Sequence, residues 1–405
     1  MRAIARYRGS PIRGGESVLN TPNLTATPSE CALLLAIESA GFGETCSHQR
    51  FMLEDLRGRC REGVSSGWAD PDGAKLIKAF VVGLSRVATR QHANELLANQ
   101  HVEVVRTDLC NAYVTQIDDD SVIFVFRGLI KAIMFVLEFG DIVASLDARL
   151  KTGQQCPYSP DELHVLVYEA YSSLYHYEAS GEPLPRAGGI LRPGEKRSLL
   201  IRFSRVIWFV LMHEIGHVQL GHLCPGTVKS SLPGPQLVVS ENLNSDKLQE
   251  FEADLFLCET LADSEQYAVL SYVLAPLDLL ASLERNLREG SETHPSAVNR
   301  LQHILTVRYS LLDDASRDLA AEVVSRNVAT LKFQSGKGSA SRVQVTLQQS
   351  RDALRKLKEF YEDVAEIADD PSEGDIRDAA LWDFALSYFW HDGVLGPSGR
   401  VPNME

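Results

Sequence analysis

The sequence predicts an α+β fold that is predominantly helical and contains one small sheet. Apolar residues recur at helical spacing over residues 73–99, and again over 127–139 and 160–178. Between these blocks the period changes, and residues 101–126 hold short runs rich in β-branched and aromatic side chains. A further helical pattern at 199–217 carries two histidines four residues apart, which places a candidate site on a helix.

Length and charge limit the organisation and the partners. A chain of 405 residues favours roughly two or three structural units. We expect a mainly helical N-terminal region at 1–100, a central region with the sheet at 101–308 and a helical C-terminal region at 309–405. The 54 acidic and 40 basic residues give a formal net charge of -14, so we expect no nucleic-acid partner.

Apolar patterning and cysteine usage predict a cytoplasmic protein. The two most apolar stretches, 121–146 and 199–212, are interrupted by charged residues, and we expect both to be buried core rather than membrane spans. The N-terminus is basic but is not followed by an apolar stretch, so no secretory signal is predicted. The seven cysteines are scattered and include no CxxC pair, which is typical of a reducing compartment.

The elements before the candidate site follow from local patterns. Residues 1–28 are rich in Gly, Pro, Ser and Thr and are predicted to be irregular, whereas 29–41 has a helical apolar cluster that Gly41 can end. Strands are predicted at 101–106, 112–117 and 121–126. The acidic residues at 118–120 lie between the last two strands, which predicts a hairpin.

The later part of the chain is predicted to be mostly helical. Composition and periodicity there predict, in order, a Pro/Gly-rich loop at 181–196, the histidine-bearing helix, a polar connection at 224–245, a helix at 248–263, a linker at 334–341 and an amphipathic aromatic helix at 375–390. No internal repeat is evident.

The motif HEIGH at 213–217 predicts a zinc site. His213 and His217 share one helix face, so both imidazoles can reach one ion. Glu214 follows the first ligand, where its carboxylate can take a proton from a water that the metal has acidified. Zinc suits two neutral imidazoles better than calcium or magnesium does. The alternative is a helix with two incidental histidines and a solvated glutamate.

A catalytic zinc needs a third protein ligand, and one common way to supply it fails here. The pattern HExxHxxGxxH requires glycine and histidine at positions that hold Leu220 and Leu223. His222 lies five residues after His217, roughly on the opposite side of the helix if the helix continues. It is therefore more typical of a polar histidine at a helix end than of a ligand.

A glutamate on a following helix is the other route to the third ligand. Glu250 and Asp254 are four residues apart and share a face. Glu250 can bind zinc while Asp254 accepts a hydrogen bond from the other nitrogen of a ligating imidazole. Glu252 points about 200° away around the helix and is the weaker candidate. Alone, this segment would be more typical of an exposed acidic helix turn.

A third element lies at residues 292–301. His294 precedes a proline in a loop that opens a helix, and its ring N–H could stabilise the oxyanion of a tetrahedral intermediate. Arg300, further along the helix, could fix acidic groups of the site or of the substrate. Taken singly, such residues are more often a loop histidine and a surface arginine.

Over roughly residues 208–305, the chain resembles the gluzincin peptidases of the HtpX and CaaX-prenyl-protease kind. The resemblance lies in three motifs in the same order, HEIGH, EFEAD and THPSAVNRL. Their pattern runs HExxH, ExxxD, then a Thr/Ser-His-Pro loop followed by an arginine. The resemblance implies a zincin-like metallopeptidase core, with Glu250 as third zinc ligand, Asp254 as orienting residue and His294 on the substrate side. Those relatives are commonly membrane-embedded, whereas this chain lacks their spans.

The form HEIGHVQLGH followed by an E-x-E-A-D helix is also similar to the soluble ImmA/IrrE-like and Lit-type peptidases. The leading hypothesis is therefore a zinc-dependent endopeptidase that cleaves a protein or peptide substrate, with a regulatory role or one in phage or stress defence. The alternative is a metal-binding sensor or regulatory module without turnover.

The helical flanks could bind an activating partner or ligand. Residues 113–117 or 122–126 are candidates for an edge strand that pairs with substrate, and plain core packing explains them equally well.

Overall fold

The computed structural model describes residues 69–85, 91–108, 110–117, 120–180, 184, 191–223, 245–261, 273, 275–283, 295–308 and 371–390. The predictions made for 1–41, for 334–341 and for His294 lie outside the described residues.

Helices and one small sheet form the described part of the chain. The elements are α1 Pro71–Ser85, α2 Gln91–Asn99, β1 His101–Val105, β2 Ala112–Ile117, β3 Asp120–Phe126, α3 Arg127–Thr152, α4 Pro160–Ser180, α5 Pro193–Gln219, α6 Ser245–Thr260, α7 Ala275–Leu283, α8 Ala297–Arg308 and α9 Glu373–Trp390. The prediction of a mostly helical α+β chain with a small sheet is confirmed. The pattern predicted as one helix over 73–99 is described as α1 and α2.

The sheet has three strands in the order β1-β3-β2. The predicted hairpin is confirmed, because β2 pairs antiparallel with β3 from Ala112 opposite Val125 to Ile117 opposite Asp120. β1 pairs parallel with β3 on its other side. The prediction that residues 122–126 could be a free edge is therefore wrong, since both sides of β3 already carry a partner strand. β2 is an edge strand among the described residues.

Helix α5 lies at the centre of the hydrophobic core. It packs against α9, α6 and α1, and against the strands β2 and β3. Residues 206–212 are all buried, so apolar side chains surround this part of the helix. Phe203, Trp208 and Leu211 are fully buried. Residues of α3 such as Ile133 and Phe135 join the same core. Both apolar stretches are thus buried core, as predicted.

Helix α9 is anchored to this core by buried polar contacts as well as by packing. The Trp382 ring lies 5.9 Å from the Phe203 ring, and its Nε1 donates to Glu138 Oε1 at 3.2 Å. Arg127 donates to the carbonyls of Tyr388 and Phe389 at 3.2 and 2.9 Å, which satisfies groups left unpaired at a helix C-terminus. Part of the predicted C-terminal region therefore shares the central core, and the proposed division into three folding units stays a prediction.

No described helix combines the length and the apolarity that a bilayer crossing requires.

Candidate metal centre

Local signals place the histidine motif at the end of a long helix. α5 begins at Pro193, within the predicted loop, because proline suits the first helical position. The Glu195 carboxylate also accepts the Arg192 backbone N–H at 2.8 Å. Eleven buried residues precede the last two turns, which carry His213 and His217. The Nε2 atoms of these two imidazoles lie 3.3 Å apart, so the structure brings them together as predicted.

Glu250 reaches the two histidines from α6. Its Oε2 lies 3.0 Å from His213 Nε2, and its Oε1 lies 3.3 Å from His217 Nε2. His213 and Glu250 are buried, and the His217 side chain is 12% exposed. The three residues form a group that could hold a metal ion, with donor atoms all within 4.8 Å of one another.

The spacing of the two imidazole nitrogens fits a small tetrahedral ion. Ligands about 2.0–2.1 Å from a zinc ion are separated from one another by roughly 3.3–3.4 Å at tetrahedral angles. The two imidazole nitrogens lie 3.3 Å apart. The two Glu250 oxygens each approach a different imidazole, at 3.0 and 3.3 Å. Two nitrogen donors and one carboxylate are also a usual zinc set, and three protein donors leave a fourth position for a water or substrate atom.

A close helix crossing makes this convergence possible. A Cβ atom placed on Gly216 would lie 3.2 Å from the Cα atom of Ala253, so the two backbones meet here. Gly216 follows Glu214 by two residues, and Ala253 lies between Glu250 and Asp254 on the facing helix. Small residues on both helices therefore let α6 approach α5 closely enough for its carboxylate to reach the imidazoles.

Asp254 and Arg300 lie next to His213 Nδ1, the ring nitrogen that does not face Glu250. Asp254 is fully buried, and its Oδ1 lies 3.1 Å from His213 Nδ1. Arg300 from α8 donates to both Asp254 oxygens, from Nε at 2.8 Å and from Nη2 at 2.6 Å. Arg300 Nη2 also lies 3.2 Å from His213 Nδ1, but both atoms are donors when His213 binds a metal through Nε2. The His213 hydrogen bond therefore goes to Asp254.

Charges in this cluster shift two pKa values in opposite directions. Burial alone would raise the pKa of Asp254, but the Arg300 charge and the hydrogen bonds from Arg300 and His213 hold it below its usual value. Burial and Arg300 act to lower the pKa of His213, whereas the Glu250 charge and hydrogen bonds to Asp254 and Glu250 outweigh them and raise it to about 9. A proton on His213 thus occupies the place that a metal cation would take.

Glu214 is half-buried and lies one residue after His213 on α5. A helix turns by about 100° per residue, so Glu214 lies beside, and not on, the face that His213 and His217 share. Its carboxylate is therefore available for proton transfer rather than for ligation.

His222 occupies a place that the sequence did not indicate. The predicted placement on the opposite side assumed that the helix continues, but α5 ends at Gln219 and Gly221 adopts a left-handed φ of 75°. The chain reverses there, and His222 Nδ1 comes to lie 2.9 Å from His217 Nδ1. Burial, then the neighbouring His217, lower the pKa of His222 to about 4. Gly221 was the available signal, since glycine often follows the last residue of a helix.

Glu252 faces His222 rather than the convergent donors. Its Oε2 lies 3.0 Å from His222 Nε2. Of the two glutamates on α6, the structure thus places Glu250 beside both histidines and Glu252 on the outer side of His217. Pro295 and Ser296, which directly follow the position of His294 and precede α8, are buried.

Comparison of the chain with protein-family models, with curated proteins and with solved structures finds no match.

Proposed function

We propose that the protein is a zinc-dependent endopeptidase with a zincin-like core of the gluzincin type. One observation carries the proposal: His213, His217 and Glu250 converge from two helices, with donor atoms all within 4.8 Å of one another. A carboxylate that is not part of this group, Glu214, lies on the same helix beside it. This combination of ligands and an adjacent base suits hydrolysis of an amide bond.

The residues of the chain have distinct roles in this proposal. A bound zinc ion supplies Lewis acidity, which makes water a better nucleophile near neutral pH. Glu214 takes a proton from the attacking water and passes it to the amide nitrogen, so that the C–N bond breaks and an acid and an amine form. Asp254, held by Arg300, keeps His213 in the tautomer that presents Nε2. His294 is proposed to donate to the developing oxyanion.

The substrate is proposed to be an extended segment of a protein. β2 supports this view because it packs against α5 and is an edge strand among the described residues. An extended peptide can add to such an edge through backbone hydrogen bonds. We further propose a cytoplasmic location, an activating partner or ligand bound by the helical flanks, and no nucleic-acid partner, in keeping with the net charge of -14.

The decisive experiment compares wild-type protein with Glu214→Gln and with Glu373→Gln, which changes an exposed glutamate on α9. Each protein is assayed for bound zinc by atomic emission and for cleavage of unfolded protein substrates by mass spectrometry. We expect all three to hold one zinc per chain, and only Glu214→Gln to lose cleavage, by a factor of at least about 10².

Two results would count against the proposal. Wild-type protein that binds no zinc would remove the metal site. Zinc binding with identical behaviour of wild type and Glu214→Gln would instead favour a metal-binding regulatory module without turnover. The Glu214→Gln variant also offers a way to capture the substrate, since an uncleaved protein can remain bound to it.

A further inference from the structure

A chain of two hydrogen bonds runs from Glu252 on α6 through His222 to His217. Glu252 Oε2 lies 3.0 Å from His222 Nε2, and His222 Nδ1 lies 2.9 Å from His217 Nδ1. We propose that Glu252 and His222 form a positioning pair, which holds His217 in the tautomer and orientation that present its Nε2 to a metal. This inference rests on the metal site of the proposed function.

The hydrogen bonds permit one consistent assignment of protons with neutral imidazoles and an ionised carboxylate. If His217 binds a metal through Nε2, its only ring proton is on Nδ1 and is donated to His222 Nδ1. The ring proton of His222 must then be on Nε2, where it is donated to Glu252 Oε2. Both close contacts are satisfied, and the lone pair of His217 Nε2 points towards Glu250 and His213.

The opposite assignment is unfavourable because of the carboxylate. If His222 carried its proton on Nδ1, the lone pair of its Nε2 would face Glu252 Oε2 at 3.0 Å. Two acceptors at hydrogen-bond distance repel each other and leave both groups without a donor. The negative charge of Glu252 therefore selects the tautomer of His222, and His222 in turn selects the tautomer of His217.

The surroundings protect the pair from competition by water. The side chains of His222 and Glu252 are 6% and 11% exposed. The left-handed Gly221 directs the chain back, and the His222 backbone N–H donates to the His217 carbonyl at 2.9 Å. Local backbone geometry thus fixes His222 next to His217, and hydrogen bonds at low exposure are stronger than those in water.

Helix α6 would then carry a residue that orients each of the two ligating imidazoles. Asp254 accepts from His213 directly, whereas Glu252 acts on His217 through His222. Glu250 lies between these two acidic residues and faces the metal position. Of the three acidic residues at alternate positions of α6, one is therefore a ligand and two orient the ligating histidines. Packing of this single helix against α5 can thus supply the third ligand and both orienting acids.

Zinc affinity and the tautomer of His217 test the proposal in the full chain. Glu252→Ala and His222→Ala are each expected to weaken zinc binding, measured by competition with a chromophoric chelator, by roughly 10- to 100-fold. His222→Gln is expected to restore part of the loss, because its amide oxygen can accept the His217 Nδ1–H. Glu259→Gln, at an exposed position of the same helix, serves as the matched control and should bind zinc like wild type.

A structural role alone would not change the ring tautomer. In zinc-bound protein, ¹⁵N-edited long-range NMR should show His217 protonated on Nδ1 in wild type and in Glu259→Gln, and a mixture of tautomers in Glu252→Ala. Unchanged zinc affinity and an unchanged His217 tautomer in both alanine variants would overturn the positioning pair while leaving the proposed function intact. Failure of wild-type protein to bind zinc would overturn both.

Discussion

Gly216 packs against the backbone of Ala253 at the point where α5 crosses α6. A Cβ atom on Gly216 would lie within 3.2–3.3 Å of three Ala253 atoms, two of them backbone atoms. A flexible side chain could move aside, but a helix backbone moves only if the whole helix shifts. The distance between Gly216 and Ala253 therefore controls how closely Glu250 approaches the two histidines.

Gly216→Ala is accordingly expected to destabilise the protein and weaken zinc binding. Alanine has a helix propensity about 1 kcal/mol better than glycine, but overpacking costs typically about 1–3 kcal/mol and also displaces α6. Chemical denaturation and zinc titration measure the two effects. Gly140→Ala in α3 is the control, because a Cβ atom there has no neighbour within 4 Å, and it should stabilise slightly. A stabilised Gly216→Ala variant with wild-type zinc affinity would contradict the prediction.

Removing Arg300 should leave a buried carboxylate without its cation. Asp254 is fully buried and accepts two hydrogen bonds from Arg300. Loss of one partner of a buried ion pair costs about 3–5 kcal/mol, so Arg300→Met should lower the free energy of unfolding by that order. The change should be far smaller in Arg377→Met, where the side chain is 69% exposed.

A double-mutant cycle separates the ion pair from other effects of Arg300. Asp254→Asn removes the charge that Arg300 compensates, so the double variant should be less destabilised than the sum of the single variants. Strict additivity in denaturant unfolding would show that the two residues do not act as a pair.

Zinc affinity should rise with pH because a proton and the metal compete for His213. The pKa of His213 is raised from 6.5 to about 9 in the metal-free fold. This protonated state stabilises the metal-free fold below pH 6.5, and the contribution is lost as the pH rises through about 9. Zinc requires the deprotonated ring, so its affinity should increase by about tenfold per pH unit across that window.

Chelator competition between pH 6.5 and 9, corrected for protonation of the chelator, measures this slope. Thermal unfolding of metal-free protein over the same range should show decreasing stability. A zinc affinity independent of pH would mean that His213 does not exchange a proton for the metal.

The C-terminal helix should be required for a stable site. Trp382 is fully buried between α9 and the centre of α5, where its ring contacts Phe203. Trp382→Ala would leave a large cavity against the helix that carries His213, with a cost of about 3–5 kcal/mol. Ile376 on the same helix is 53% exposed, so Ile376→Ala should change stability by less than about 0.5 kcal/mol.

Equilibrium unfolding of both variants tests this prediction. Equal stability of Trp382→Ala and wild type would mean that α9 folds apart from the helix it covers.

Periodicity predicted the elements of this protein better than it predicted their contacts. The hairpin follows from two alternating runs around an acidic turn, and the buried α5 follows from its continuous apolar pattern. The parallel pairing of β1 with β3 joins residues that are distant in sequence, and no local pattern encodes it. For the same reason the edge assigned to residues 122–126 was wrong.

The amino-acid sequence by itself determined which residues could form a metal centre. Spacing of four placed His213 with His217, and Glu250 with Asp254, because a helix brings such positions to one face. Only the tertiary structure decided which carboxylate faces which imidazole. It also decided that Arg300 donates hydrogen bonds to Asp254 and that Glu252 is linked to His217 by hydrogen bonds through His222. Those contacts depend on the crossing of α5 and α6 and on a left-handed Gly221, and neither follows from the period of a single helix.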